Sequence, residues 1–446
     1  MKTIKIIGVI FAMIGLPNIM QAQQTVTLSE ALRYALEHNA TVRKAQLDIE
    51  AGRHKVDEVR AQALPQLSGT AGLTINPVIG QQVVDFGGTS QVLKFGKKWN
   101  SNAGIQLSQQ LFNQQVFTGL QAARSSEEYY SLTSKLTEEQ IIELVAGNYY
   151  QVLVNRQQLA VIDTNIRNVK VVQKIIANQQ ENGLAKKIDV DRIRVNLTNL
   201  ETQREQIVNA NTQLENQLKY SMGMDVQEAI ILPEAELSDI KQLPVFTEMD
   251  INNRLEMKLM DTQLKLLNLQ RKAYVSEYYP TLALSGNYTY SSQSDSFDFL
   301  TSGASSIGFG SSAIGVTLRV PIFSGFAIRS RVRQADVAIQ KAKEDRRDAA
   351  NGLNLAYENA KIQLNNSLNT IQAQKKNVQL AEEIYKSTQN NYNNELASLT
   401  DLLDTESSLT QAQNSYTQAL LNYRIAEIQF IKSNGNIRSL IESSSK

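Results

Sequence analysis

Two spacings divide this chain between them. Leu409, Ala412, Tyr416, Ala419, Tyr423, Ala426 and Phe430 follow at steps of three and four, a heptad seam in which small and large residues take turns. Such a seam predicts a long helix that approaches a neighbour closely. Upstream, Ile162, Ile166, Val169, Val172 and Ile176 form one apolar stripe, and Ile193, Leu197, Leu200, Ile207, Leu214 and Leu218 form another, with Asn, Gln, Glu, Lys and Arg on the opposite faces. A helix over 114–182 would be on the order of 100 Å long at the α-helical rise. No compact domain requires that reach.

The second spacing is two. Leu282 and Leu284 with 287–290 (N-Y-T-Y), then Ile314, Val316, Leu318 and Val320, alternate as strands do, and so do 67–76 and 102–109. Glycine gathers in the same windows, seven of the 22 between 66 and 104 and six between 286 and 325. With Gly- and Ser-rich loops at 77–99 and 291–306, 66–110 and 281–321 each read as a β-hairpin with a long loop.

Proline borders these windows: Pro65, Pro77, Pro233, Pro244, Pro280 and Pro321, with none in 78–232 or 322–446. A proline inside a helix costs about 3 kcal/mol, so both long stretches are free to be helical. Pro65 and Pro280 mark helix-to-strand entrances and Pro321 the second exit, while the first exit, near Leu111, has no matching proline.

The halves also align. Leu64-Pro65 lies beside Tyr279-Pro280, Gly104 to Leu107 beside Gly315 to Leu318, and Leu111-Phe112 beside Ile322-Phe323. Asn182-Gly183-Leu184-Ala185 with Asp189 matches Asn394-Glu395-Leu396-Ala397 with Asp401 at an offset of 212, far beyond a solenoid period. The chain therefore reads as a tandem duplication of helix, hairpin, long helix, turn and long helix. The divisions are a signal peptide at 1–22, a first repeat at 23–232 with its tip near 183–189, a linker at 233–247, a second repeat at 248–435 with its tip near 394–401, and a tail at 436–446. Two strands per half make four per chain, too few to close a membrane barrel without open edges. A homotrimer would supply twelve; a soluble sheet or another copy number are the alternatives.

Composition narrows the function. Lys and Arg total 45 against 44 Asp and Glu, which argues against nucleic acid as a partner. There is no Cys, and His38 and His54 are the only imidazoles, so disulfides, thiolate catalysis and Cys-based metal sites are excluded. Lys2 and Lys5 followed by the apolar run 6–16 and Ala22 read as a secretory signal cleaved after Ala22. Beyond it no apolar run reaches the roughly 18 residues of a transmembrane helix. No nucleotide motif, hydrolase triad or redox site appears. The chain is not expected to be an enzyme or to carry a cofactor or metal.

At the level of motifs the sequence resembles the TolC family of outer-membrane efflux proteins over nearly its whole mature length. Leu28-Ser29-Glu30-Ala31-Leu32 with His38-Asn39 resembles the family's first helix, and Asn253-Arg254-Leu255-Glu256 restarts the second half. Gly183-Leu184-Ala185-Lys186-Lys187-Ile188-Asp189-Val190 resembles the family's first helix-to-helix turn, and Leu396-Ala397-Ser398-Leu399-Thr400-Asp401-Leu402-Leu403-Asp404 the second. The resemblance implies a mixed α and β membrane protein: a homotrimer whose twelve-stranded outer-membrane barrel, set in outer-membrane lipid, continues as a periplasmic coiled-coil tunnel. Phe86, Phe95, Trp99, Tyr288, Tyr290, Phe297 and Phe299 would form an aromatic girdle, and 232–246 and the residues after Phe430 an equatorial belt.

By the same resemblance Asp401 and Asp404 stand at the acidic aperture ring and Asp189 and Tyr392 in the links that hold it shut. Gly183, Leu184, Ala185, Glu395, Leu396, Ala397 and Ser398 would dock a periplasmic adaptor (membrane fusion protein), itself coupled to an inner-membrane pump of the resistance-nodulation-division type. Ala397 stands where the eponymous member has an Arg in its closing link, and Ile188 where a Thr is usual, so the same salt-bridge latch is not expected; Lys186 and Lys187 either substitute for it or are two solvated lysines at a helix end. Glu395, where a Gly is common, predicts a second turn that closes differently. Asp189 and Asp401 could equally be helix N-caps. The implied function is passive exit of small toxic compounds, drugs or metals. A type I protein-secretion duct, and from another class a periplasmic coiled-coil adaptor or structural protein, are the alternatives.

Overall fold

The computed structural model describes residues 25–233, 250–297 and 306–442. The expected signal at 1–22, most of the 233–247 linker with Pro244, Phe299 of the girdle and the end of the tail lie outside the described residues. In chain order the elements are α1 (Leu28–His38), α2 (Ala40–Ala61), β1 (Gln66–Ile75), β2 (Gln81–Phe86), β3 (Thr89–Lys94), β4 (Trp99–Phe112), α3 (Gln114–Glu181), α4 (Lys187–Met222), α5 (Leu255–Ser276), β5 (Thr281–Ser294), β6 (Ile307–Arg319), α6 (Ala327–Asn393), α7 (Leu399–Ser433) and α8 (Ser439–Glu442). A 3-10 turn, Ile251–Asn253, precedes α5.

The two halves repeat one plan. α3 has 68 residues and α6 has 67, while α4 and α7 have 36 and 35. Each long helix is accompanied by two shorter ones laid along it, α2 and α4 on α3, α5 and α7 on α6. The shorter helices meet end to end. At the first joint Asn39 caps α2 by accepting from the amides of Thr41 and Val42, and its Nδ2 donates to the Ser221 carbonyl at the end of α4, 2.8 Å away. Gly223 closes α4 in the left-handed region with φ 76° against the His38 carbonyl, where a Cβ would come within 2.6 Å of backbone. Only glycine fits that approach. At the second joint Arg254, buried and N-terminal to α5, donates to the Lys432 carbonyl of α7 and pairs with Glu256 at 2.6 Å. Both joints satisfy carbonyls that a helix end leaves unpaired.

The apolar stripes build two cores. The upper one joins α1, the middle of α3, the ends of α4 and α7 and the middle of α6, around Leu32, Ile142, Tyr149, Leu218, Leu364, Tyr423 and Phe430. α8, in the expected tail, docks here through Ser29 Oγ on the Ile441 carbonyl. The lower core, nearer the turns, takes all five residues of the stripe beginning at Ile162, with Ile193 and Leu197 of α4, Tyr385 of α6, and Leu399, Leu402 and Leu409 of α7.

At the other end β1, β4, β5 and β6 form one antiparallel sheet in the order β1-β4-β5-β6, with a bulge between Gln110 and Phe112. The 77–99 segment is not the plain loop expected. It folds into a separate hairpin, β2 on β3, turned by Gly87 and Gly88 at φ 58° and 90°, as a two-residue hairpin turn of the primed type requires. The chain thus has six described strands, four of them in the main sheet. Where the first exit lacks a proline, Asn113 caps α3 instead by accepting from the Gln115 amide.

Candidate functional site

Two places on this frame stay largely exposed among the described residues: the faces of the sheet and the tips of the two turns at the far end of the helices. In the sheet, the cross-strand registers put Leu67, Ile105, Tyr288, Leu284, Val316 and Leu318 on one face and Asn102, Gln106, Asn287, Thr289, Ser311 and Thr317 on the other. Most of the apolar face is uncovered, with Ile314 85 % and Leu318 63 % exposed, while at its Trp99 end Ser292 and Ser294 are buried; among the described residues β1 and β6 have no further strand on their outer edges. In water such a sheet would be an aggregation template. An apolar face backed by a hydrogen-bonding one is what a strand needs between lipid and a wet lumen.

Aromatic residues mark both ends of that face. Trp99 meets Phe297 edge-on at 4.7 Å, at the end nearer β2 and β3, both being residues of the expected girdle. Tyr288 and Tyr290 lie over Gly310 and Gly308, which have no side chain to displace them. Phe95 is exposed beyond β3, and Phe86 lies in the β2–β3 hairpin. The sequence reading missed a second group at the helix end: Phe112 with Phe117, exposed Tyr278 and Tyr279, and Phe323 with Phe326. Their signal was available, because all flank the strand ends where an interfacial belt forms on both sides of a membrane.

The turns are near copies. Gly183 and Leu184 donate to the carbonyls of Gln180 and Gln179, and Glu395 and Leu396 donate to those of Tyr392 and Asn391, the same Schellman pattern twice. Asn182 and Asn394 each donate through Nδ2 to the carbonyl four residues earlier. The expectation that Glu395 closes the second turn differently is therefore corrected: it adopts φ 64° where Gly183 has 75°, carrying the left-handed strain that glycine avoids. Leu184 and Leu396, 80 % and 78 % exposed, project from the two turns, with Ala185 and Ala397 half-buried behind them.

The starts of α4 and α7 differ. Ser398 caps α7 in a full capping box: the Asp401 amide donates to Ser398 Oγ at 3.2 Å, and Asp401 Oδ2 accepts from the Ser398 amide at 3.0 Å and hydroxyl at 2.7 Å. Those donors hold the Asp401 carboxyl below its ordinary value. Asp401 thus sits at the third helical position and is not itself the N-cap. Lys186 stands where Ser398 does and gives no side-chain cap, so Asp189 has no reciprocal partner. Asp404 lies exposed one turn beyond Asp401 on the same face.

The turns touch. Arg192 donates to Thr400 Oγ1 at 3.1 Å, joining α4 to α7. Tyr392, half-buried at the edge of the lower core, has its phenol pushed up by burial and then by the charge of Asp189, which lies within reach of its field. Lys186 and Lys187 make no ion pair among the described residues. Arg192 was missed; aligned at the repeat offset it stands opposite Asp404, which would have shown a cation in one turn where the other has an acid. Above the turns Glu406 of α7 is 7 % exposed, its Oε1 has no hydrogen-bond partner, and burial pushes its carboxyl up to about 7. Among the described residues no group of His, Asp and Glu is arranged to hold a metal, and no helix is long and apolar enough to cross a membrane.

Comparison with known proteins agrees with this geometry. The outer membrane efflux protein family matches residues 31–223 and 249–436. The chain is 23 % identical over 431 residues to Outer membrane protein TolC of Salmonella enteritidis, covering 92 % of this chain and 80 % of that protein. To Outer membrane protein TolC of Vibrio cholerae it is 22 % identical over 437 residues, covering 96 % and 95 %. Among solved structures, a membrane protein from Pseudomonas aeruginosa matches with a TM-score of 0.74 at 19 % identity over 92 % of each chain. The open-state MtrE outer membrane channel of Neisseria gonorrhoeae matches with a TM-score of 0.71 at 18 % identity, over 92 % of this chain and 89 % of that one. At these identities the structural likeness carries the fold, and the family match carries the assignment. The chain belongs to the outer membrane efflux protein family: it is a passive channel of the outer membrane with a helical periplasmic part, and not an enzyme.

Proposed function

We propose that three copies of the chain close their four-stranded sheets into one twelve-stranded barrel, and that their helices form a periplasmic duct about 100 Å long, judged from the α-helical rise. The observation that carries this reading is the sheet: a bare apolar face, a polar reverse face and two unpaired edges, all of which other copies and lipid would satisfy. Two repeats at 23–232 and 248–435, joined by the 233–247 linker, each supply one strand pair to the main sheet, so a trimer has six such pairs. Crosslinking of detergent-extracted protein followed by mass measurement tests the copy number; a monomer or dimer overturns the trimer.

In this reading the turns are the inner mouth. Asp401 and Asp404 of three chains line the aperture, a ring of like charge that admits cations and resists anions. Asp189 beside Tyr392, and Arg192 on Thr400, supply the links that keep neighbouring turns together. The exposed Leu184 and Leu396, with the small residues Gly183, Ala185, Ala397 and Ser398 and the strained Glu395, offer paired apolar knobs for the coiled-coil tip of a periplasmic adaptor. Energy comes from an inner-membrane pump of the resistance-nodulation-division type, and the cargo is small toxic compounds, drugs or metals. Exchanging Asp401 and Asp404 for Asn and recording ion selectivity in planar bilayers tests the aperture, with loss of cation preference expected. Unchanged preference removes both residues from the mouth. Deleting the gene and measuring sensitivity to dyes, detergents and metal salts tests the cargo class, with hypersensitivity expected.

A further inference from the structure

The four strands of the main sheet contain one residue among Asp, Glu, Lys and Arg: Arg319, the last residue of β6. Its register fixes its face. Arg319 pairs with Thr281, and the residues two apart from them, Thr317 with Ala283 and Gly315 with Ser285, belong to the polar face, while Leu318 pairs with Leu282 on the apolar one. The guanidinium is exposed and makes no ion pair among the described residues; Glu277, the acid four positions before its strand partner Thr281, is held by Arg331 at 2.6 Å. It stands eight positions before α6 begins, where strand gives way to helix.

We propose that Arg319 sets the charge selectivity of the barrel, as one guanidinium per chain at the junction of barrel and helical duct, and that the solutes it favours are anions bearing carboxylate, phosphate or sulfonate groups. The proposal rests on the trimeric barrel reading above. A wall of hydroxyl and amide groups offers hydrogen bonds to any passing solute but no net field. Against that background a ring of three guanidiniums adds a fixed positive field at the helix end of the barrel wall, in the way that rings of Arg or Lys favour anions in other pores. Guanidinium is charged at every working pH and binds carboxylate or phosphate in a two-pronged geometry that a single ammonium cannot reproduce. The field fades over a Debye length, about 10 Å at 0.1 M salt and about 3 Å at 1 M, so the preference is a low-salt property. It also opposes the acidic aperture at the other end, which makes the barrel step separable from the mouth step.

Because the chain has no native Cys, single substitutions give a clean test. The protein carrying Arg319→Cys is placed in planar bilayers under a potassium chloride gradient, and the chloride-to-potassium permeability ratio is read before and after a cationic or an anionic methanethiosulfonate. Thr317→Cys and Leu318→Cys serve as face controls, and Arg319→Lys as the conservative variant. The expected result is a fall of about twofold or more at 0.1 M salt in Arg319→Cys, restored by the cationic reagent, deepened by the anionic one, retained in Arg319→Lys and absent at 1 M. If Thr317→Cys responds to reagent, Leu318→Cys does not, and the ratio at position 319 stays unchanged, Arg319 is an interfacial anchor only and the proposal is overturned while the barrel stands. If Thr317→Cys is inert, or no channels form from the unsubstituted protein, the barrel reading falls and the proposal with it.

Discussion

Glu406 gives the sharpest stability prediction. Its carboxyl lies in the lower core, where Leu402 and Leu409 flank it along α7 and Tyr385 faces it from α6, whose phenol is pushed up by burial and then by this carboxylate. No Lys, Arg or His perturbs it, and burial alone raises it from 4.5 to about 7. The folded state therefore holds the proton more tightly than the unfolded chain does. Stability from this group is fully present below pH 4.5 and is lost as pH rises through about 7, after which the curve is flat. At 1.36 kcal/mol per unit, the difference amounts to about 3 kcal/mol per chain. Glu406→Gln removes the charge and keeps the shape. Thermal melts followed by helical circular dichroism between pH 4.5 and 8.5 are expected to show the wild-type Tm falling across this window. The variant's Tm should be nearly level and several degrees higher at the alkaline end. Identical slopes in both proteins would refute the reasoning, because they would mean that water or a cation reaches the carboxylate.

The turns and the joints supply further tests. Glu395→Gly relieves a left-handed residue at a cost of about 1–2 kcal/mol and returns part of that as unfolded-chain entropy, so a net gain of about 0.5–1 kcal/mol is expected in urea unfolding. A loss would mean that the Glu395 side chain makes a stabilising contact at the tip. Gly223→Ala places a methyl against the His38 carbonyl carbon at 2.7 Å as well as straining φ, and is expected to cost about 2 kcal/mol or more. Hydrogen exchange should speed up at the start of α2 and the end of α4 together; unchanged exchange there would dissociate the two helix ends.

Much of the fold is written in periodicity. The expected helix over 114–182 is α3, Gln114–Glu181, because an apolar stripe sustained over many turns leaves the backbone no competing solution. The heptad residues Ala419, Tyr423, Ala426 and Phe430 are buried for the same reason. The β2–β3 hairpin escaped notice although Gly87-Gly88 is a hairpin signal, since two six-residue strands without clean alternation read as loop. Glu395 misled because glycine at that position is a preference set by about 1–2 kcal/mol, which a long helical hairpin can absorb. Glu406 sits at a seam position, four after Leu402 and three before Leu409, so its burial was legible as a charge in an apolar register. What periodicity could not give was what lies across the turns: the hydrogen bond of Arg192 to Thr400, and Asp189 within field range of Tyr392, are tertiary.

The central claim is that the main sheet stands between lipid and a water-filled lumen. Single-cysteine scanning of β6 from Ser311 to Leu318, in intact outer membranes and with a membrane-impermeant thiol reagent, tests it most directly, against a chain free of native Cys. The account predicts alternation with a period of two: Ser311, Ala313, Gly315 and Thr317 are labelled, and Ser312, Ile314, Val316 and Leu318 are protected. Uniform labelling along the strand, or alternation in the opposite phase, would contradict it.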